Sequence, residues 1–168
     1  KGKGQILVPN FYGRPFKQVS SIFSHIEDKI EVSDRIFSYL HPKNTIINQT
    51  PSANALMSPS QNIRLVLSKG FPIVGYLTQT NQFNELLKIT LEFQILEHWP
   101  EQEVSILYIT NKATEKIYFD IHEEGEAVAL EFECEPNAYI EVYFNDELGL
   151  KSKVSEFKEK VTNESKSI

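Results

Sequence analysis

The residues of this 168-residue chain best suited to metal or nucleophilic chemistry are four histidines and one cysteine. His25, His41, His98 and His122 are too scattered for a local metal motif. Asp120-Ile121-His122 sets two ligand types on one side of a strand, but no third ligand stands at metal-binding spacing. Cys134 alternates with Glu131, Glu133 and Glu135, so it falls on the apolar side of its segment and reads as a small core residue rather than a thiolate nucleophile. Glu97-His98-Trp99-Pro100 closes a strand, with Trp99 as a core or rim anchor. No GxxxxGK[ST] phosphate loop, GxGxxG turn, HExxH or GxSxG is present. No catalytic residue, metal ligand or cofactor is therefore assigned. An enzyme is not favoured, and a site assembled from distant residues has no sequence feature behind it.

One cysteine excludes an intramolecular disulfide and a multi-cysteine zinc site, and favours a reducing, intracellular setting. No apolar run reaches the length of a membrane span. The sequence opens on Lys1, so it is read as a processed product or an excised piece, and any upstream targeting segment is out of view. Asn48-Gln49-Thr50 and Asn163-Glu164-Ser165 match the glycosylation triplet and read as ordinary polar residues.

Charge is the most specific compositional feature. The net charge is −6, yet residues 92–147 carry 15 acids against Lys112 and Lys116 alone. Residues 1–91 are net +5 and residues 148–168 net +2. The acidic middle is a poor match for nucleic-acid phosphate or anionic lipid, because like charges repel.

The elements that must position these groups change period along the chain. Phe16, Val19, Phe23, Ile26, Ile30, Phe37 and Leu40 recur at spacings of three and four, which predicts an amphipathic helix over 16–40, stopped by Pro42. Ser33-Asp34 could start a second helix within that range. Residues 42–62, with three prolines and many Asn, Ser, Thr and Gln, read as a polar connection. Ile63–Leu67 and Ile73–Leu77 read as a hairpin, with a helix over 59–69 capped by Gly70 as the competing reading. From residue 87 the period is two: 87–95, 104–109, 117–121, 128–134 and 140–144 read as strands. The alternation assigns Leu91, Phe93, Phe119, Leu130, Phe132, Val142 and Phe144 to a core. Residues 151–162 read as a short charged helix and 163–168 as a frayed tail.

The fold class expected is α+β: a mainly antiparallel meander with an N-terminal amphipathic helix and a short C-terminal helix. A β-sandwich with a helical extension is the alternative. The chain is taken as a single domain over 1–168, with a helical part at 1–41, a connection at 42–62, a β-rich core at 63–147 and a helix and tail at 148–168. If the last three strands pair in sequence order, Tyr118, Asp120, Glu131, Glu133, Tyr139, Glu141 and Tyr143 share one outer face. Such a face is either solvation or a docking surface for a basic protein partner; a calcium site would want a compact ligand loop that is missing. The function expected is a non-catalytic interaction or assembly module, with homo-oligomerisation open. The alternative is a carrier holding an apolar ligand or lipid between sheet and helix.

Overall fold

A computed structural model describes residues 4–80 and 85–160. The chain divides into two compact units, residues 1–71 and 72–168. Most of the regular structure in both is antiparallel sheet, with only short helical turns.

The first unit contains β1 (Ile6–Leu7), the single helical turn α1 (Val19–Ile22), β2 (Ile30–Ile36), β3 (Ile46–Thr50), β4 (Leu56–Met57) and β5 (Ile63–Ser68). β5 is the middle strand of a three-stranded sheet, parallel to β2 and antiparallel to β3. β1 and β4 form a separate two-residue ribbon. Ile63, Leu65 and Leu67 alternate inward from β5 and meet Val8, Phe11, Val19, Ile26, Ile46 and Met57.

The long helix expected over 16–40 is not formed. Phe16–Gln18 and Ser24–Lys29 are 3-10 turns flanking α1, and the chain then becomes β2. Val19 and Ile26 do reach the core as the spacing implies. From Ile30, however, β-branched Ile30 and Val32 alternate with Glu31 and Ser33, a short period-two signal hidden inside a longer stripe of helical spacing. The expected connection at 42–62 is also corrected, since it supplies β3 and β4. Its polar residues replace missing ladder bonds: the Gln49 side chain accepts from the Phe11 N–H (2.9 Å) and donates to the carbonyls of Pro9 (2.9 Å) and Pro51 (3.1 Å). Residues 63–68 are strand, which removes the helical reading of 59–69. Residues 63–77 are not a hairpin either, because β5 pairs with β2 and β3 and β6 pairs with β7.

The second unit comprises β6 (Ile73–Thr80), β7 (Leu87–Gln94), β8 (Gln102–Ile109), β9 (Thr114–His122), β10 (Ala127–Cys134), β11 (Tyr139–Phe144) and β12 (Glu147–Lys153). They form two antiparallel sheets, ordered β10-β7-β6 and β12-β11-β8-β9. Among the described residues, seven strands split three and four, with the chain crossing between sheets after β7, β9 and β10, make an immunoglobulin-like sandwich. Phe93 of β7 touches Phe144 of β11 edge to face, so the two sheets meet through their apolar sides. Ile89, Leu91, Val104, Ile106, Ile140 and Val142 are buried with them.

The single meander is thus replaced by a sandwich. A lone sheet buries one face only against a helix, and the 16–40 helix does not exist; folding the strands into two layers lets them bury each other. The C-terminal helix is corrected too. Residues 151–153 finish β12, a 3-10 turn follows at Val154–Glu156, and Val154 and Phe157 are buried. The expected tail at 163–168 and the second glycosylation triplet lie outside the described residues.

Of the expected core, Leu91, Phe93, Val142 and Phe144 are buried, and Leu130 and Phe132 are half-buried on β10 at the edge of its sheet. Phe119 is exposed, as is Ile121. The cause is a register shift in the β8–β9 ladder: Ile106 faces Tyr118 and Leu107 faces Lys116, so Ile117 is an extra residue. Beyond it the strand's faces are exchanged, and Tyr118 and His122 turn inward.

Candidate functional site

The seven residues expected to share one acidic face fall into three groups. Glu131 and Glu133 lie on β10, which pairs with β7, not with β9 or β11. Glu131 there forms an ion pair with Lys88 at 3.1 Å. Tyr139, Glu141 and Tyr143 lie on the outer side of β11, in the other sheet. Glu141 is held by the Tyr143 hydroxyl (2.5 Å) and Lys151 (3.3 Å), and those two donors lower its carboxyl below the ordinary range. Tyr118 and Asp120 sit in inward register on β9, opposite buried Ile106 and Val104.

Tyr118 belongs to a small polar cluster. Its hydroxyl lies 2.7 Å from His122 Nε2, and His122 Nδ1 lies 2.6 Å from a Glu126 carboxylate oxygen. A carboxylate only accepts, so Nδ1 carries the proton and, in the neutral ring, Nε2 accepts from the tyrosine. Burial raises the Tyr118 hydroxyl, whereas the histidine donor lowers the Glu126 carboxyl. The imidazole is also packed edge to face on Phe93. A hydroxyl, an imidazole and a carboxylate in a row resemble a nucleophile chain in outline, but His122 is buried and the row pins the edge strand β9 to the β9–β10 turn.

Sequence reasoning missed a site in the first unit. A groove of about 590 Å³ is lined by Pro15, Phe16 and Lys17, by Arg35 at the end of β2, and by Pro42–Thr45 ahead of β3. Backbone bonds fix its walls: the Phe16 N–H donates to the Asn44 carbonyl (2.9 Å) and the Ile46 N–H to the Arg14 carbonyl (2.9 Å). Asn44 adopts a left-handed conformation (φ 67°), which asparagine tolerates better than most side chains. Its Oδ1 accepts from Arg35 Nη1 at 3.0 Å, which orients the guanidinium. Lys17, Arg35 and Lys43 are all exposed and, among the described residues, none is in an ion pair. A planar guanidinium flanked by two ammonium groups is suited to carboxylate or phosphate. The signal available in the sequence was charge: the first 71 residues hold nine basic and four acidic residues.

This segment is also where the chain is similar to a known family. Residues 6–69 match the PASTA domain. The match covers the whole paired framework of the PASTA-like unit, from β1 to β5, and stops short of the sandwich. Among solved structures, the entire extracellular region of the Ser/Thr kinase PrkC from Staphylococcus aureus aligns with 90% of this chain and 51% of its own, at 14% identity and a TM-score of 0.34. The chain therefore spans about half the length of that structure. No curated protein matches.

Proposed function

We propose that the protein is a non-catalytic binding module whose PASTA-like unit holds an anionic ligand in the Lys17–Arg35–Lys43 groove. The observation that carries this reading is the set of three exposed cations around one preformed groove, inside the segment that matches the PASTA domain. Carboxylate-bearing peptidoglycan fragments are the first ligand class to test, because peptidoglycan is a ligand of PASTA domains. Arg35 would grip a carboxylate through its free guanidinium edge, with Lys17 and Lys43 adding screened attraction.

The test is calorimetric titration of the full chain with soluble peptidoglycan fragments bearing free stem-peptide carboxylates. Affinity should fall as salt rises, and Arg35→Glu with Lys43→Glu should abolish the heat signal. Unchanged binding in that variant would remove the groove from the reading.

A basic protein partner remains a second reading for the three-stranded sheet alone. Its outer side carries Glu92, Glu131 and Glu133, opposed by Lys88 and Lys160. Reversal of Glu131 and Glu133 to Lys should then stop capture of a basic partner without unfolding the sandwich. The helix that the carrier alternative calls for is not formed: residues 16–29 are short helical turns and residues 30–36 are β2.

A further inference from the structure

The outer side of the four-stranded sheet is apolar to a degree that a solvated surface does not require. Register places Phe119 and Ile121 of β9, Leu107 and Ile109 of β8, Tyr139 of β11 and Leu148 of β12 on this one side. Phe119 and Ile121 are 52% and 53% exposed, and Tyr139 and Leu148 are 42% exposed each. Exposed large apolar side chains gathered on one side of a sheet mark an interaction site.

We infer that this face is where a second copy of the chain docks, sheet against sheet. Charge favours a copy over a foreign partner. The face carries Lys116, Lys151 and Lys153 against Glu103 and Glu141, while residues 92–147 as a whole hold 15 acids and two bases. Two molecules of net charge −6 repel on average and lose that repulsion here. A basic partner would be drawn to the acids elsewhere and gain little from this side. Glu141 is held by Tyr143 and Lys151, and the Lys116 ammonium lies over the Phe119 ring at 5.2 Å. Glu103 and Lys153 stand at the ends of β8 and β12, at the rim of such an interface, where water still reaches them.

Area is sufficient. Four strands about 4.8 Å apart and about 20 Å long present about 400 Å² in projection, and more as accessible surface. Two copies together bury about 1,000 Å², the lower bound for a specific and reversible interface. Sheets stacked this way sit about 10 Å apart, with Phe119, Ile121 and Tyr139 interdigitating.

Sedimentation equilibrium of the full chain from about 1 to about 300 µM tests the inference, a range chosen for a weak interface of this size. A concentration-dependent monomer–dimer equilibrium is expected, with Phe119→Asp plus Ile121→Lys raising the dissociation constant at least tenfold. Tyr139→Lys plus Leu148→Lys is the second variant, made on different strands in case the first disturbs β9, and circular dichroism checks that each variant folds. Val74→Lys, on the outer side of the other sheet, should leave the dimer intact. A wild-type chain monomeric throughout overturns the inference. So does a dimer unaffected by both folded face variants, or one lost with Val74→Lys.

Discussion

Phe93 and Phe144 stand edge to face across the two sheets of the sandwich, with ring centroids 5.5 Å apart and planes at 80°. The pair joins an inner strand of one sheet to an inner strand of the other, and both rings are buried. Phe144→Ala should cost about 3–5 kcal/mol, as large core aromatics do. Phe119→Ala, on the exposed side of β9, should cost less than about 1 kcal/mol. Urea melts of the two variants side by side check the assignment of faces; similar losses would contradict the register shift at Ile117.

Gln49 ties three backbone groups of the PASTA-like unit, at Pro9, Phe11 and Pro51. Gln49→Leu keeps the bulk and removes the bonds, leaving part-buried backbone groups unmade. It should cost about 2 kcal/mol, within the about 1–3 kcal/mol of an unsatisfied buried polar group. Hydrogen exchange at the Phe11 amide should quicken most, since that N–H donates to Gln49.

Glu126 supplies a pH dependence of known sign. The His122 donor holds its carboxyl below the ordinary value of 4.5. A folded-state value under the unfolded one means that ionised Glu126 stabilises fully above the ordinary carboxylate range and fades as pH falls through the lowered value. Glu126→Gln should therefore lower the Tm near pH 7, and the gap to wild type should close toward about pH 3. A gap that widens in acid would reverse the sign.

Cys134 is buried, and burial pushes its thiol up to about 11. Iodoacetamide at neutral pH should label it only as fast as the sandwich opens, and rapidly once denaturant is added. Fast labelling of the native chain would place the thiol at the surface.

Gly149 of β12 leaves room for Phe144. A Cβ there would stand 2.5 Å from Phe144 Cε2, well inside contact distance. Gly149→Ala should lower the Tm by displacing that ring, and the loss should shrink in a Phe144→Leu background. Additive losses would show that the two positions do not touch.

The strands of the sandwich were legible because each carries its own alternation of charged and apolar residues, as in Leu87–Gln94 and Tyr139–Phe144. Their partners were not. Period two says that a strand has an inner side, but β10 finds β7 and β11 finds β8 through connections that cross between layers, and no local pattern encodes that choice. The expected acidic face failed for this reason, since Glu131 and Glu141 lie on the outer sides of different sheets. In the first unit the 3.6-residue spacing of Phe16, Val19, Phe23 and Ile26 was real as a burial pattern. Short 3-10 turns satisfy it as well as a long helix does. The cationic groove joins Lys17, Arg35 and Lys43 across 26 positions of sequence, and only the bonds that bring Asn44 to Phe16 and Arg35 make them neighbours.

The extra residue at Ile117 uncouples the two ends of β9. Lys116 and Tyr118 are both even-numbered, yet they lie on opposite sides of the sheet, so the segments before and after Ile117 keep separate alternations. Each end can then drift under its own constraint, the turn-side end under solvation and the His122 end under burial. A sequence variant that restored strict alternation along all nine positions would look more regular and fit this sheet worse.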